Sequence, residues 1–143
     1  MTNAKTTARQ LMTADPVCVR TSDTVHDAAQ TMARTQLGSL PICGEDGRLK
    51  GMLTDRDLVV KVLAEGKDPR AVHAGELAQG EAVTIGADDD VTAILQTMAQ
   101  HRVRRLPVID GHELVGIVAQ ADVARAMPNP DTGVLVEALS YDW

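Results

Sequence analysis

The sequence predicts a mixed α/β (α+β) fold: two β-α-β-β-α repeats packed about a pseudo-twofold axis into one module. Three observations carry that expectation. QTMA occurs at 30–33 and again at 96–99, and at this shift of 66 positions Leu11 falls on Leu77, Val17 on Val83, Val25 on Val91 and Leu40-Pro41 on Leu106-Pro107. Self-similarity at a fixed period marks a duplicated structural unit. Within each copy, short apolar runs alternate with a stretch of helical period, and glycine-containing turn signals fall between the later runs.

Each element follows in order. Val17 to Val19 and Val83 to Ile85 are short apolar runs suited to strands. TSDT (21–24) and ADDD (87–90) supply hydroxyl and carboxylate groups that cap a helix start. Val25, Ala28, Ala29 and Met32, matched by Val91, Ile94, Leu95 and Met98, repeat at i, i+3, i+4, i+7, so each helix buries one face. LPIC and LPVI begin second strands, turns at Gly44-Glu45-Asp46-Gly47 and Asp110-Gly111 follow, and LKGMLT and LVGIV are third strands. DLVVKVLAEG and DVARAM close the two repeats as helices.

A strand, a helix and a parallel strand wind right-handed, which leaves a three-stranded sheet with both helices on one side. The open faces of two such sheets can bury each other. The expected organisation is repeat 1 at 7–65, a polar linker at 66–76, repeat 2 at 77–127 and a tail at 128–143 with a short apolar segment, Val134 to Leu139.

Composition narrows the function classes. With 143 residues there is room for one such module but not for a catalytic domain beside it. The formal net charge of -6 argues against a nucleic-acid binder, and only HRVRR (101–105) is locally basic. Aromatic content is 1% with no Phe, so a planar ligand would be gripped by aliphatic side chains. The N-terminus lacks a secretory h-region and no apolar run is long enough to span a bilayer, so a cytoplasmic protein without membrane contact is expected. Two cysteines and four scattered histidines have no metal-ligand spacing, and neither a nucleophile triad nor a GxxxxGK[ST] loop is present, so neither a metal site nor an enzyme is expected.

GMLTDRD (51–57) is the motif with two readings. Thr54 and Asp57 form a capping box, in which each side chain bonds the other's backbone N–H. The same pair, at a helix start after a glycine, also suits a ligand carrying phosphate and a sugar diol. The second copy, GIVAQAD (116–122), keeps Asp122 but replaces the threonine by Ala119. If capping were the whole purpose, losing the hydroxyl should relax the demand for the acid, so the retained Asp122 favours a ligand role.

These paired β-α-β-β-α units, each with a Leu-Pro strand and the first ending in Gly-hydrophobic-hydrophobic-Thr-x-x-Asp, resemble a tandem pair of cystathionine-β-synthase (CBS) domains across residues 7–127. ICGEDGRLKGMLTDRDLVVK further resembles small stand-alone pairs of the hypoxic-response type. The resemblance implies a non-catalytic regulatory module, a homodimer, that binds an adenosine ligand (AMP, ADP, ATP or S-adenosylmethionine) between its repeats and signals to an effector protein. The rival is a structural or protein-interaction pair with no nucleotide, stress or redox related.

By the same resemblance Thr54 touches phosphate, and Asp57 and Asp122 take ribose hydroxyls. Val17 and Val83 would flank adenine, and Arg105 either reaches a polyphosphate or lies in a solvated strip. With its hydroxyl intact, the Thr54/Asp57 site should exceed the Asp122 site. Cys18 and Cys43 sit on strands expected to be neighbours, and two readings stay open: buried thiols, or a disulfide, since relatives of the hypoxic-response type carry the same pair.

Overall fold

The computed structural model describes residues 6–78 and 82–126. In chain order its elements are α1 (Ala8–Leu11), β1 (Thr13–Ala14), β2 (Val19–Arg20), α2 (Val25–Thr35), β3 (Ser39–Cys43), β4 (Leu49–Thr54), α3 (Asp55–Asp57, continuing with π winding over Leu58–Leu63), a 3-10 turn (Ala74–Leu77), β5 (Ile85–Gly86), α4 (Val91–His101), β6 (Arg105–Asp110), β7 (Glu113–Ala119) and α5 (Gln120–Arg125). The mixed α+β class is as expected, and the chain divides into two compact units. Residues 17–82 form one without interruption, the continuous unit; residues 1–16 and 83–143 form the other, the split unit.

In the continuous unit the sheet order is β2-β3-β4, with β2 parallel and β4 antiparallel to β3. Pro41 lies inside central β3, where a missing N–H would normally break a ladder. It is tolerated because the parallel partner begins only at the next residue, where Val19 meets Ile42. Leu40 and Ile42 point to one face, and the Val25, Ala28 and Met32 stripe of α2 packs there with Leu58 and Val62 of α3. Both helices therefore cover the same side of the sheet. The winding of α3 is widened by i→i+5 bonds, Ala64 N–H to Val59 (2.8 Å) and Lys67 N–H to Val62 (3.0 Å). Val59, Val60 and Leu63 are left 55%, 46% and 61% exposed.

Residues 66–76, expected as a polar linker, supply part of this core: Val72 and Ala74 are buried. The reason is backbone satisfaction. Val25 N–H donates to the Val72 carbonyl (2.8 Å), Ala74 N–H to Asp23 (2.8 Å) and Gly75 N–H to Thr21 (3.0 Å), so this segment completes the polar edge ahead of α2. Gly75 permits the approach, since a Cβ there would lie 3.0 Å from the Thr21 carbonyl oxygen.

The split unit repeats the plan with a different chain path. Its sheet order is β1-β7-β6-β5, and Leu106, Val108 and Val118 pack with Val91, Ile94 and Met98 of α4 and Val123 of α5. The hairpin loop is Gly111-His112, one residue later than expected, with Gly111 at φ 65°. The edge that 72–77 covers in the continuous unit is covered here by residues 6–14. Ala8 N–H donates to Asp89 (2.8 Å), Arg9 N–H to Ala87 (2.9 Å) and Val91 N–H to Thr6 (3.0 Å). Ala8 is fully buried, and β1 pairs antiparallel with β7 through Thr13↔Ile117 and Ala14↔Gly116. The compact units are thus offset from the sequence repeats by one leading segment each. The tail at 128–143 lies outside the described residues.

Candidate functional site

Strand register gathers the candidate residues within each unit. In the continuous unit Val19 meets Ile42 in parallel, so Val17, two residues earlier, is level with Leu40. Ser39 pairs with Thr54 across the antiparallel side. Val17, Ser39 and Thr54 therefore stand at one end of the sheet, with Asp57 one helical turn on. In the split unit Ile85 meets Val108, which puts Val83 level with Leu106, and Arg105 pairs with Ala119, three residues before Asp122. Val17, Thr54 and Asp57 thus belong to the continuous unit, and Val83, Arg105 and Asp122 to the split unit. Val17 is 42% exposed, whereas Val83 packs against the core of its unit. Arg105 is exposed.

The Thr54/Asp57 box is formed in both directions. Asp57 N–H donates to Thr54 Oγ1 (3.1 Å), and Thr54 N–H donates to Asp57 Oδ2 (2.9 Å). Thr54 Oγ1 accepts in this arrangement, which leaves its own proton to donate. Asp57 Oδ1 takes the Lys61 ammonium at 3.2 Å. The carboxylate has about four lone-pair positions, so two such partners leave room for a diol. Lys61 was not singled out from sequence, though its i+4 spacing from Asp57 is the signal for such a pair.

Two expectations about this motif change. The helix start does not offer open amides: Asp55 N–H donates to the Gly38 carbonyl (2.9 Å), Arg56 N–H to Asp55 Oδ1 (2.8 Å) and Asp57 N–H to Thr54. A phosphate there would have to displace one of them. The space beside Gly51 is also taken, because a Cβ on Gly51 would lie 3.3 Å from Ala78 Cβ. Close packing of the chain on itself explains that glycine. Gly116 is the same case, with the Thr13 carbonyl oxygen 2.8 Å from its would-be Cβ.

Asp122 needs no ligand to account for its presence. Ala119 N–H donates to Asp122 Oδ2 (2.8 Å) and Arg125 pairs with Oδ1 (2.5 Å), so the acid performs its half of the box without a hydroxyl partner. The two halves are independent interactions, and losing one leaves the other useful. Ala119 already has the extended backbone of a cap, φ -107° and ψ 161°. Ala119→Thr is expected to complete the box and stabilise the protein by about 1 kcal/mol, read as a rise in thermal midpoint; no rise would mean that the hydroxyl does not reach Asp122 N–H.

The cysteines occupy the same sheet of the continuous unit. Cys18 precedes β2 and is exposed, Cys43 ends β3 and is buried, and their Sγ atoms are 2.8 Å apart as thiols. The Cys43 S–H donates to Cys18, which lowers the Cys18 thiol to about 7 against the opposing effect of burial. Cys43 is pushed up, first by that same hydrogen bond and then by burial.

Among the described residues, no three His, Cys, Asp or Glu side chains gather as a metal site, and no helix is long and apolar enough to cross a membrane.

The sequence model of the CBS domain matches residues 8–64 and 74–129. Hypoxic response protein 1 of Mycobacterium tuberculosis is 48% identical over 134 residues, covering 94% of each chain. The crystal structure of Hypoxic Response Protein I with two coordinated zinc ions superposes with a TM-score of 0.81 at 50% identity, over 86% of this chain and 100% of that one. The crystal structure of CBSX2 in complex with AMP, at 23% identity and a TM-score of 0.73 over 85% of this chain and 95% of that one, shares the fold.

Proposed function

Because the chain belongs to the CBS-domain proteins, with two repeats and a non-catalytic regulatory character, we propose that it is a sensor of an adenosine-containing ligand that signals to a separate effector protein. The observation that carries this is the constellation at the sheet end of the continuous unit. An exposed valine at position 17, level with Leu40, lies at the same end of the sheet as a hydroxyl donor at Thr54 and a carboxylate at Asp57 that retains accepting capacity. An apolar surface beside a diol acceptor is the chemistry a nucleoside requires. The AMP complex of CBSX2 supports the ligand class.

Arg105, exposed and across the strand pair from Ala119, is positioned for a phosphate in the split unit. The working assembly is a homodimer in the cytoplasm, and Val59, Val60 and Leu63 are the apolar surface available to a second copy.

Thermal shift with AMP, ADP, ATP and S-adenosylmethionine tests the reading. A ligand at 100 times its Kd should add about 2.7 kcal/mol of stability. Sedimentation of the same samples should give twice the chain mass of 15.3 kDa. Absence of a shift with every ligand at millimolar concentration would favour a structural or protein-interaction role instead.

A further inference from the structure

Lys61 takes no part in the Thr54/Asp57 cap, and the duplication shows that the fold does not require it. Where Asp57 aligns with Asp122, Lys61 falls on Ala126. Both acids accept the backbone N–H of the cap residue through Oδ2, from Thr54 at 2.9 Å and from Ala119 at 2.8 Å. On Oδ1 the two units differ. Asp122 meets Arg125, a side chain 71% exposed, whereas Asp57 meets Lys61 at 3.2 Å. With Lys61 35% and Asp57 21% exposed, this is the most enclosed ion pair among the described residues, since every other has a side chain 50% exposed or more.

Both partners keep hydrogen-bonding capacity beyond their contact. The ammonium has three N–H donors and gives one to Oδ1, and that oxygen retains a further lone pair. A hydroxyl is donor and acceptor at once, so it can give its proton to Oδ1 while accepting from Nζ. An oxygen about 2.7 Å from Oδ1 and about 2.9 Å from Nζ closes a triangle on the 3.2 Å base. Both bonds are charge-assisted, and each strengthens the other by polarising the same O–H.

We propose that Asp57 and Lys61 clamp one ribose hydroxyl, Lys61 donating to the oxygen whose proton Asp57 accepts, and that this clamp makes the site prefer ribonucleotides to deoxyribonucleotides. The clamp rests on the nucleoside reading of the Thr54/Asp57 pair and makes Lys61 a second sugar-contacting residue. It uses side chains only and displaces none of the engaged amides of α3. A site built around a hydroxyl rejects the analogue that lacks it, because its polar groups are then left unpaired. In the split unit position 126 is alanine and Arg125 lies largely in solvent, where such bonds are weaker.

Calorimetric titration with AMP and ATP, and with the 2′-deoxy and 3′-deoxy forms of each, tests the clamp. The native chain should bind one of the two deoxy forms about 10- to 100-fold more weakly than the ribonucleotide, the worth of hydrogen bonds to charged groups. Lys61→Ala, copying position 126, and Lys61→Met, which keeps the apolar stem, should each bind the ribonucleotide about 10-fold more weakly and that deoxy form nearly as before, so the ratio shrinks by about 10-fold. Their circular dichroism spectra and thermal midpoints should stay near native, because a single i,i+4 pair adds little to stability. An equal loss for ribonucleotide and deoxynucleotide in the variants, or equal affinity of the native chain for all three sugars, would overturn the clamp and leave nucleotide binding standing. Failure of both variants to fold would make Lys61 a structural residue and overturn it too. A native chain that binds neither AMP nor ATP would overturn the clamp together with the nucleotide reading beneath it.

Discussion

Deleting residues 1–14 is expected to unfold most of the split unit while sparing the continuous one. The deletion removes the partners of three backbone hydrogen bonds, at Asp89, Ala87 and Val91, together with β1 and the buried Ala8. At about 1 kcal/mol net per hydrogen bond, and with the apolar burial added, the loss is roughly 3–5 kcal/mol. That is a large fraction of the roughly 5–15 kcal/mol that holds a typical domain.

Hydrogen exchange gives the measurement, because it reports stability locally. Amides of Ile94, Leu106 and Val118, in the core of the split unit, should exchange much faster than those of Leu40 and Leu53 in the continuous unit. In the intact chain Gly116→Ala should reproduce a milder version, since its Cβ meets the Thr13 carbonyl oxygen and pushes β1 from the sheet. Equal protection of both units after the deletion would show that residues 6–14 are dispensable.

Asp57→Ala should weaken nucleoside binding by about 10- to 100-fold, the worth of a hydrogen bond to a charged group, with a far smaller loss for Asp122→Ala. Because Asp57 also accepts the Thr54 N–H, the alanine variant loses cap stability too, about 1 kcal/mol. Asp57→Asn separates the two roles. Its amide oxygen can still accept from Thr54, but it lacks the charge that binds a diol strongly and that holds Lys61. A ligand role therefore predicts a near-normal melting temperature and lost affinity in Asp57→Asn, measured by calorimetry. Lower melting temperatures with unchanged affinity would reduce Asp57 to a cap, and equal losses at Asp57 and Asp122 would remove the asymmetry.

What the sequence made legible was local or periodic. The stripe at Val25, Ala28 and Met32, the caps at Thr24 and Asp90 and the antiparallel β3/β4 and β6/β7 pairs all follow from spacing within one repeat. The docking of residues 6–14 was not legible, because its partners at Asp89 and Ile117 are remote and no local pattern announces them. A similar limit hid the role of 66–76, whose polar composition masked buried Val72 and Ala74.

For the candidate residues, sequence spacing supplied the Thr54/Asp57 pairing, but not which of their atoms were already engaged. The occupied amides of α3 depend on the Gly38 carbonyl, brought close by strand pairing. The significance of Asp122 turned on geometry as well: its bond to Ala119 N–H exists whatever side chain position 119 carries.

The split path also bears on biosynthesis. On a ribosome the continuous unit can close as soon as residue 82 has emerged, but Thr13 must wait for Ile117, a stretch that takes roughly 5–20 s to translate. During that interval the leading segment, with its buried-to-be Ala8 and its unpaired strand edge, is open to chaperones or to a neighbouring nascent chain.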